Sequence, residues 1–297
     1  MLNGIKNLIY KSIQVTWHVG IFEGNIEDIM EGRKPKFHLV KHNYKDRWFA
    51  DTFVLDVTDD TIILLVEEFY YPINRGRLSK MVVSREDYRL LSLTTILELD
   101  THLSFPFIIR KDNKIYICPE NYKANEFAAY EYDAQKDICK KVKILLHEPV
   151  VDTVLTKING SNLLFTSLGN GNKVDIYKKN EATDSYCYLK SCTFDRNIGR
   201  NAGDVFSYQG KLYRPAQDCG LCYGHFVSIQ EIMTKHDDIT MKEVAQLRSP
   251  NTFRFLGIHT LNSYKGVVVG DVTIYKYPII GCPLYWLKEH FNLKISK

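Results

Sequence analysis

The sequence predicts an all-β protein with the fold of a five-bladed β-propeller, and an internal repeat is the main observation behind this. Five times the chain forms a short apolar strand, a polar turn and a second apolar strand. Markers near the heads of the first strands are separated by 55, 46, 52 and 56 residues; they are Asp51, Pro106, Asp152, Asp204 and Thr260. A period of about 50 residues with one hairpin per unit is the size of a four-stranded blade. Helical spacing is scarce and weak, and it is confined to Gln230–Lys235 and Tyr285–Phe291. An irregular β-sandwich with chance spacing is the alternative.

The predicted hairpins follow one another along the chain. They are Asp51–Asp56 with Ile62–Glu68, Phe105–Ile109 with Ile115–Glu120, Val151–Thr156 with Leu163–Thr166, Gly203–Ser207 with Leu212–Gln217, and Ile258–Asn262 with Val267–Asp271. Outer strands are expected between them, at Arg77–Ser84, Ala128–Tyr132 and Val174–Lys178. Residues 45–297 therefore form the propeller as a single domain. Residues 1–44 are expected to supply a strand that completes the last blade, because a closed ring leaves no exposed edge.

Composition restricts the class of protein. The chain has 297 residues, 45% of them hydrophobic, and a net charge of +4, which does not demand a nucleic-acid partner. The first residues lack a secretory leader, and no window is apolar enough to span a membrane. Seven cysteines, an odd number without framework spacing, suit reduced thiols. The sequence therefore predicts a cytoplasmic protein.

The repeat converts scattered polar residues into one candidate site. Equivalent positions of different blades converge at one mouth of the central funnel, although they lie about 50 residues apart. The heads of the first strands contribute Asp51, Asp152, Asp204 and His259; the ends of the second strands contribute Glu67 or Glu68, Glu120, Arg214, Gln217, Asp218 and Asp271. Carboxylates that are close together raise one another's proton affinity, which acid–base chemistry requires.

Several motifs resemble those of a known family. Trp48–Phe53 is similar to the W-x-A-D-P-F opening of five-bladed propellers related to arabinanase-, xylosidase- and invertase-type glycoside hydrolases. The sequence more closely resembles the N-terminal propeller of plant glucosamine inositolphosphorylceramide transferase and its bacterial relatives in surface-polysaccharide gene sets. The further motifs that carry this resemblance are Trp17–Ile21, Glu67–Tyr70, Ser104–Phe107, Cys118–Glu120, Arg200–Gly203, Tyr213–Gly224 and Gly257–Asn262. The resemblance covers residues 15–275 approximately.

The resemblance implies a role for Asp51. In the related hydrolases the Asp of the first inner strand is nucleophile or general base. The carboxylates expected on later blades are missing, because Ser104–Phe107 and Ala202-Gly203 occupy the nearest stretches. Ordinary hydrolysis requires two carboxylates. Glu120 and Asp152 are the further candidate catalytic residues, and Glu68 is a candidate binding residue that could also supply the second carboxylate.

The remaining candidates are binding residues. Arg214 is expected to hold a phosphate or carboxylate, with Gln217 and Asp218 beside it, although a structural Arg–Asp pair is the alternative. His259 could donate to a sugar hydroxyl or act as a base, or it is a core histidine. Trp48 and Tyr223 could stack on sugars, or they are core.

No metal or cofactor is predicted. Cys219 and Cys222 form one C-x-x-C pair, which cannot complete a four-ligand zinc site. The basic, amphipathic tail at residues 285–297 could rest on an anionic membrane surface, which would make the protein membrane-associated. Alternatively, the tail packs on its own domain.

Three functions follow as hypotheses. The leading one is an enzyme of surface-polysaccharide or glycolipid biosynthesis that transfers a sugar from a nucleotide-sugar or lipid-linked donor, with Asp51 as base. The second is a glycoside hydrolase with a displaced acid. The third is a non-catalytic glycan-binding module.

Overall fold

The computed structural model describes residues 15–169, 171–220, 222–235, 238–250 and 255–275. They form five four-stranded antiparallel sheets, which confirms the predicted five-bladed propeller. Blade I contains β3 (Arg47–Val57), β4 (Thr61–Tyr70), β5 (Arg75–Ser84) and β6 (Leu90–Leu97); blade II contains β7 (Ser104–Lys111), β8 (Lys114–Glu120), β9 (Phe127–Asp133) and β10 (Ile138–Leu146). Blade III contains β11 (Val151–Ile158), β12 (Ser161–Ser167), β13 (Lys173–Asn180) and β14 (Ser185–Thr193); blade IV contains β15 (Phe206–Tyr208), β16 (Lys211–Asp218), β17 (Phe226–Lys235) and β18 (Asp238–Arg248).

Blade V joins the two ends of the described chain. It contains β19 (Gly257–Tyr264), β20 (Val267–Tyr275), β1 (Val15–Phe22) and β2 (Phe37–Leu39), in that spatial order. The N-terminal segment thus supplies two strands to this sheet. The short helix α1 (Ile26–Met30) connects them, and Asn25 caps it with reciprocal hydrogen bonds to Asp28.

The helical spacing at Gln230–Lys235 is misleading. These residues belong to β17, which pairs with β16 on one side and with β18 on the other. Ladders on both edges outweigh a weak local preference. The second weakly helical segment, Tyr285–Phe291, and the whole tail at 285–297 lie outside the described residues.

The core lies between neighbouring blades. Buried residues of blades I, II and III form the largest apolar cluster, which includes Leu65, Phe105, Phe127 and Phe165. The six cysteines among the described residues are free, and these residues contain no helix that is long and apolar enough to cross a membrane.

The innermost strands of blades I to III each contain a bulge in their first half. Asp51, Phe105 and Asp152 have φ values of 51°, 43° and 47°, and the strand register shifts next to each of them. A bulge of this kind redirects side chains and leaves a backbone N–H outside the ladder. In all three cases a carboxylate of the neighbouring blade accepts that N–H, so these hydrogen bonds hold carboxylates at this mouth of the funnel.

Blade IV departs from this pattern. Its innermost strand β15 has only three residues, and Gly203 precedes it with a φ of 159°. A Cβ at Gly203 would lie 2.0 Å from the carbonyl oxygen of Leu261 in blade V. Only glycine fits here, because both the space and the backbone conformation exclude a side chain.

Candidate active site at the mouth of the funnel

A buried triad of side chains, Asp51, His259 and Asp271, connects blade I to blade V. His259 Nδ1 lies 2.6 Å from Asp271 Oδ1, and His259 Nε2 lies 3.1 Å from Asp51 Oδ1. Asp271 also accepts the backbone N–H groups of Asp51 and Thr260. Burial alone would lower the pKa of His259, but the two carboxylates raise it well above its ordinary value. His259 is therefore an imidazolium that holds Asp51 in place.

These three residues also place one potential metal-ligand atom each within 4.8 Å of the others. Both ring nitrogens of His259 face carboxylate oxygens, so the protons of the imidazolium occupy the space between the groups. The donor set fits a proton-linked triad better than a metal ion.

Asp51 is ionised. Burial opposes its charge, but His259 lowers the pKa of Asp51 below its ordinary value. Oδ2 accepts the N–H of Phe105 at 3.0 Å, and Oδ1 faces His259 Nε2 at 3.1 Å. Each carboxylate oxygen has a second lone pair, so Asp51 can still accept a proton.

Glu67 is a further buried carboxyl group of blade I, on β4. His102 Nε2 lies 3.2 Å from Glu67 Oε1. Burial, together with the charge of Asp51, raises the pKa of Glu67 to about 7. Glu67 is thus half-protonated near neutrality, next to an ionised carboxylate.

A second cluster is built around Asp152 of blade III. Its Oδ2 accepts from Arg200 Nε at 2.5 Å and from Gln217 Nε2 at 3.1 Å, and its N–H donates to Glu120 Oε2 at 3.0 Å. Burial and the charge of Asp152 raise the pKa of Glu120 to about 8. Burial also raises the pKa of Asp152, despite Arg200.

Tyr223 connects the two clusters. Its ring centroid lies 5.3 Å from that of His259, and the Arg200 guanidinium lies 5.3 Å from its ring centroid. Trp17 packs on both rings, with centroids 4.0 Å from His259 and 5.9 Å from Tyr223. Tyr223 is 48% exposed, so its ring is accessible to a ligand, and stacking on a sugar stays a prediction.

Two predicted binding residues have structural positions instead. Arg214 is fully buried, and its guanidinium donates to Asn201 Oδ1, Gln230 Oε1 and the carbonyl of Gly199. All three donor nitrogens are occupied, so the expected phosphate contact is wrong for this residue. Arg200, which precedes β15, has a side chain that is 23% exposed, and only its Nε donates to a described residue.

Glu68 is the other predicted binding residue that has a structural position. It is fully buried, and it pairs with Arg47 and Arg77 and accepts from Ser79. Consecutive strand residues point to opposite faces, so Glu67 faces Asp51 while Glu68 braces blade I.

The remaining predicted residues lie around these clusters. Gln217 is buried against Asp152. Asp218 is buried, accepts the N–H of Gly220 and lies 3.7 Å from Arg196. Trp48 is half-buried and stacks on Phe69, with ring centroids 4.8 Å apart. The described contacts of Trp48 do not join it to Asp51.

Sequence reasoning underrated several residues of the site. The sequence predicts Asp271 at the mouth without a role, and it places Arg200 and Trp17 in motifs without a role. For Arg200, the sequence signal is its position just before Gly203, where the fourth hairpin begins. His102 lies in the connection between β6 and β7 and carries no such signal.

Comparison with known proteins gives a consistent picture. A sequence model of the family described as glucosamine inositolphosphorylceramide transferase 1, N-terminal, matches residues 38–254. Glucosamine inositolphosphorylceramide transferase 1 of Oryza sativa subsp. japonica is 28% identical over 206 residues, and that of Arabidopsis thaliana is 30% identical over 141 residues. These alignments cover 65% and 44% of this chain but only 28% and 18% of the relatives. The chain thus spans less than a third of the length of the curated relatives it matches.

Solved structures with the same fold are glycoside hydrolases. An exo-β-1,3-galactanase from Phanerochaete chrysosporium with β-1,3-galactotriose superposes with a TM-score of 0.54 at 8% identity, over 71% of this chain and 54% of that one. A thermostable family-43 glycoside hydrolase gives 0.53 at 14% identity, over 78% and 85%. At these identities the similarity shows the fold alone.

Proposed function

We propose, from the premise that this chain belongs to the glucosamine inositolphosphorylceramide transferase 1 N-terminal family, that its funnel transfers a sugar from an activated donor to a hydroxyl acceptor. The family and the fold make it a carbohydrate-active propeller protein. Sugar transfer is the specific reaction that we propose for it. The observation that carries it is that Tyr223 contacts both His259, which pairs with the ionised Asp51, and the guanidinium of Arg200.

Asp51 is the proposed base. Its carboxylate accepts the proton of the acceptor hydroxyl as the hydroxyl oxygen attacks the sugar. His259 and Asp271 hold the carboxylate in position and keep it ionised, much as the third member of a catalytic triad orients its partner.

Arg200 is the proposed partner of the leaving group. Its Nε is held by Asp152, which leaves the two terminal nitrogens for the phosphate of an activated donor. A phosphate leaves as a stabilised anion, so it requires a cation rather than a proton donor.

This arrangement favours transfer over ordinary hydrolysis. The stretch at Ala202-Gly203, where the resemblance expects the acid of a hydrolase, has no carboxylate, and Leu261 leaves no space for a side chain at Gly203. Hydrolysis remains the second candidate, since Glu67 and Glu120 both hold protons near neutral pH.

The test is turnover by the pure protein. Nucleotide sugars are supplied with hydroxyl acceptors in one series, and aryl glycosides alone in another. We expect sugar transfer in the first series, abolished by Asp51→Asn. Aglycone release without a donor, abolished by the same substitution, would replace transfer with hydrolysis. Glycan binding that weakens in Arg200→Met, with no turnover in either series, would leave a binding module.

A further inference from the structure

We propose that Trp17 is a positioning residue whose indole face holds the imidazolium of His259 against Asp51. Trp17 lies on β1, in the N-terminal segment that completes blade V, and not on an innermost strand. It acts on the reaction only through His259. Its effect on turnover rests on the proposed function, but its contact with His259 can be tested without turnover.

The faces of the Trp17 and His259 rings are in contact. Their centroids lie 4.0 Å apart, with an angle of 40° between the ring planes. Rings that meet edge-on have centroids about 5 Å apart or more, so this shorter separation requires the two faces to overlap. Trp17 is 7% exposed and His259 is 2% exposed, so the contact is almost free of water.

The geometry of the triad makes His259 a cation. Its Nδ1 lies 2.6 Å from Asp271 Oδ1, and its Nε2 lies 3.1 Å from Asp51 Oδ1. A neutral imidazole has a proton on one nitrogen only, and the lone pair of the other nitrogen would face a carboxylate oxygen. The π face of tryptophan attracts a cation, most strongly where both are shielded from water. Trp17 therefore stabilises the charged form of His259, in the same direction as the two carboxylates that raise the pKa of this residue.

A side chain on β1 reaches His259 only because it is long. β20 lies between β1 and the innermost strand β19, so the two side chains together have to cross two strand spacings, about 10 Å. Thr273 of β20 is the cross-strand neighbour of both Trp17 and Gly257. The three residues therefore share one face of the sheet, and Trp17 has the only large side chain among them.

The loop between β16 and β17 closes over this contact at Gly224. A Cβ at Gly224 would lie 2.7 Å from His259 Cβ and 2.8 Å from Trp17 Cη2, and the φ of Gly224 is 67°. Only glycine fits here without strain. The preceding residue, Tyr223, meets the indole edge-on, with centroids 5.9 Å apart and an angle of 88° between the planes. The loop thus fixes the indole against His259.

The alternative role of Trp17 is that of an ordinary core residue. Trp17 belongs to none of the three apolar clusters formed by the described residues, whereas Phe22, on the same strand, lies in the cluster between blades IV and V. The ring contacts that the structure describes for Trp17 are those with Tyr223 and His259. Its surroundings are therefore those of the candidate site.

The contact matters most once Asp51 has accepted a proton. Asp51 is then neutral until the proton leaves for solvent after product release, and His259 loses the attraction of one of its two carboxylates. The indole face still stabilises the imidazolium and keeps it directed at Asp51. The other charged or titratable groups around His259 are Asp271 of β20, Asp152 of β11, and Cys219 and Tyr223 of the loop after β16.

Nuclear magnetic resonance of protein with labelled histidine tests the contact without substrate. At neutral pH, wild type should show two ring N–H protons of His259, identified by their loss in His259→Gln. Trp17→Leu removes the π face and uncovers the ring, so these protons should exchange with water at least about tenfold faster than in wild type. If Trp17→Leu does not fold, Trp17→Phe, which keeps a smaller aromatic face, should give an increase of about threefold.

The matched control is Phe22→Leu, which removes a buried aromatic ring from the same strand without touching His259. It should keep the wild-type exchange rates. Wild-type exchange rates in the Trp17 variants, or equally accelerated exchange in Phe22→Leu, would overturn the proposal.

Turnover separates this positioning role from a role in ligand binding. With a nucleotide sugar and a hydroxyl acceptor, kcat of Trp17→Leu should fall at least about tenfold, while its affinity for uridine diphosphate stays within about twofold of wild type. Lost affinity with an unchanged kcat would overturn the proposal. If the exchange result holds but wild type transfers no sugar, the positioning of His259 stands and the proposed function fails. If wild type transfers sugar and Trp17→Leu keeps its kcat, the proposed function stands and the positioning role fails.

Discussion

Two arginines of blade IV, Arg200 and Arg214, should respond in opposite ways to substitution by methionine. Arg214→Met removes a guanidinium that donates to Asn201, Gln230 and the carbonyl of Gly199, all buried. Each buried acceptor left without a partner costs about 1–3 kcal/mol. Relief from burying a cation offsets part of this, since burial lowers the pKa of Arg214 to about 9. We expect the free energy of unfolding to fall by about 4 kcal/mol.

Arg200→Met should leave the fold almost intact. Its side chain is 23% exposed, and Gln217 still donates to Asp152 after the substitution. The cost should be about 1 kcal/mol, because burial already raises the pKa of Asp152, so that this carboxyl group can take up a proton once Arg200 is lost. A donor phosphate, however, loses a bidentate partner, which should weaken its binding about 100-fold.

The assays are urea unfolding, followed by tryptophan fluorescence, and calorimetric titration with uridine diphosphate. The reasoning predicts a large shift of the unfolding midpoint only in Arg214→Met, and a large loss of affinity only in Arg200→Met. Unchanged stability of Arg214→Met together with lost uridine diphosphate binding would restore the phosphate role to Arg214 and refute this interpretation of blade IV.

Three further predictions concern the same region. Asp51 and Asp271 raise the pKa of His259, so this pairing contributes stability that is complete below pH 6.5. The contribution is lost as the pH rises through the folded-state pKa of His259. Unfolding measured as a function of pH should show this decline in wild type and not in His259→Gln. Gly203→Ala should cost about 3 kcal/mol or more in the same assay because of the 2.0 Å approach to Leu261, whereas Gly160→Ala, with nothing within 4 Å of its Cβ, should cost about 1 kcal/mol. Tyr223→Ala should weaken sugar binding about tenfold in calorimetry and leave the unfolding midpoint in place; a shifted midpoint would make this ring structural.

The repeat was sufficient to predict the fold and the place of Asp51. Hairpins recur because each blade must bury the same two faces, so their spacing is visible in the residues themselves. The bulges at Asp51, Phe105 and Asp152 are not visible in this way, because a left-handed backbone at a non-glycine residue is held by partners from other blades.

The sequence alone could not decide which of two nearby residues of the same type belongs to the site. Glu67 and Glu68 have the same side chain and adjacent positions, and only the register of β4 against β3 decides which of them meets Asp51. Arg200 and Arg214 differ likewise in exposure rather than in type. Arg214 lies in a strand that is buried on both sides, while Arg200 precedes the shortened strand β15.

The position of β1 between β20 and β2 has a consequence for the synthesis of the protein. β20, to which β1 pairs along its whole length, leaves the ribosome more than two hundred residues after β1. At translation rates of about 5–20 residues per second, this is a delay on the order of ten seconds or more. During that interval the side of β1 that later pairs with β20 is an open strand edge, which is a template for pairing with other chains.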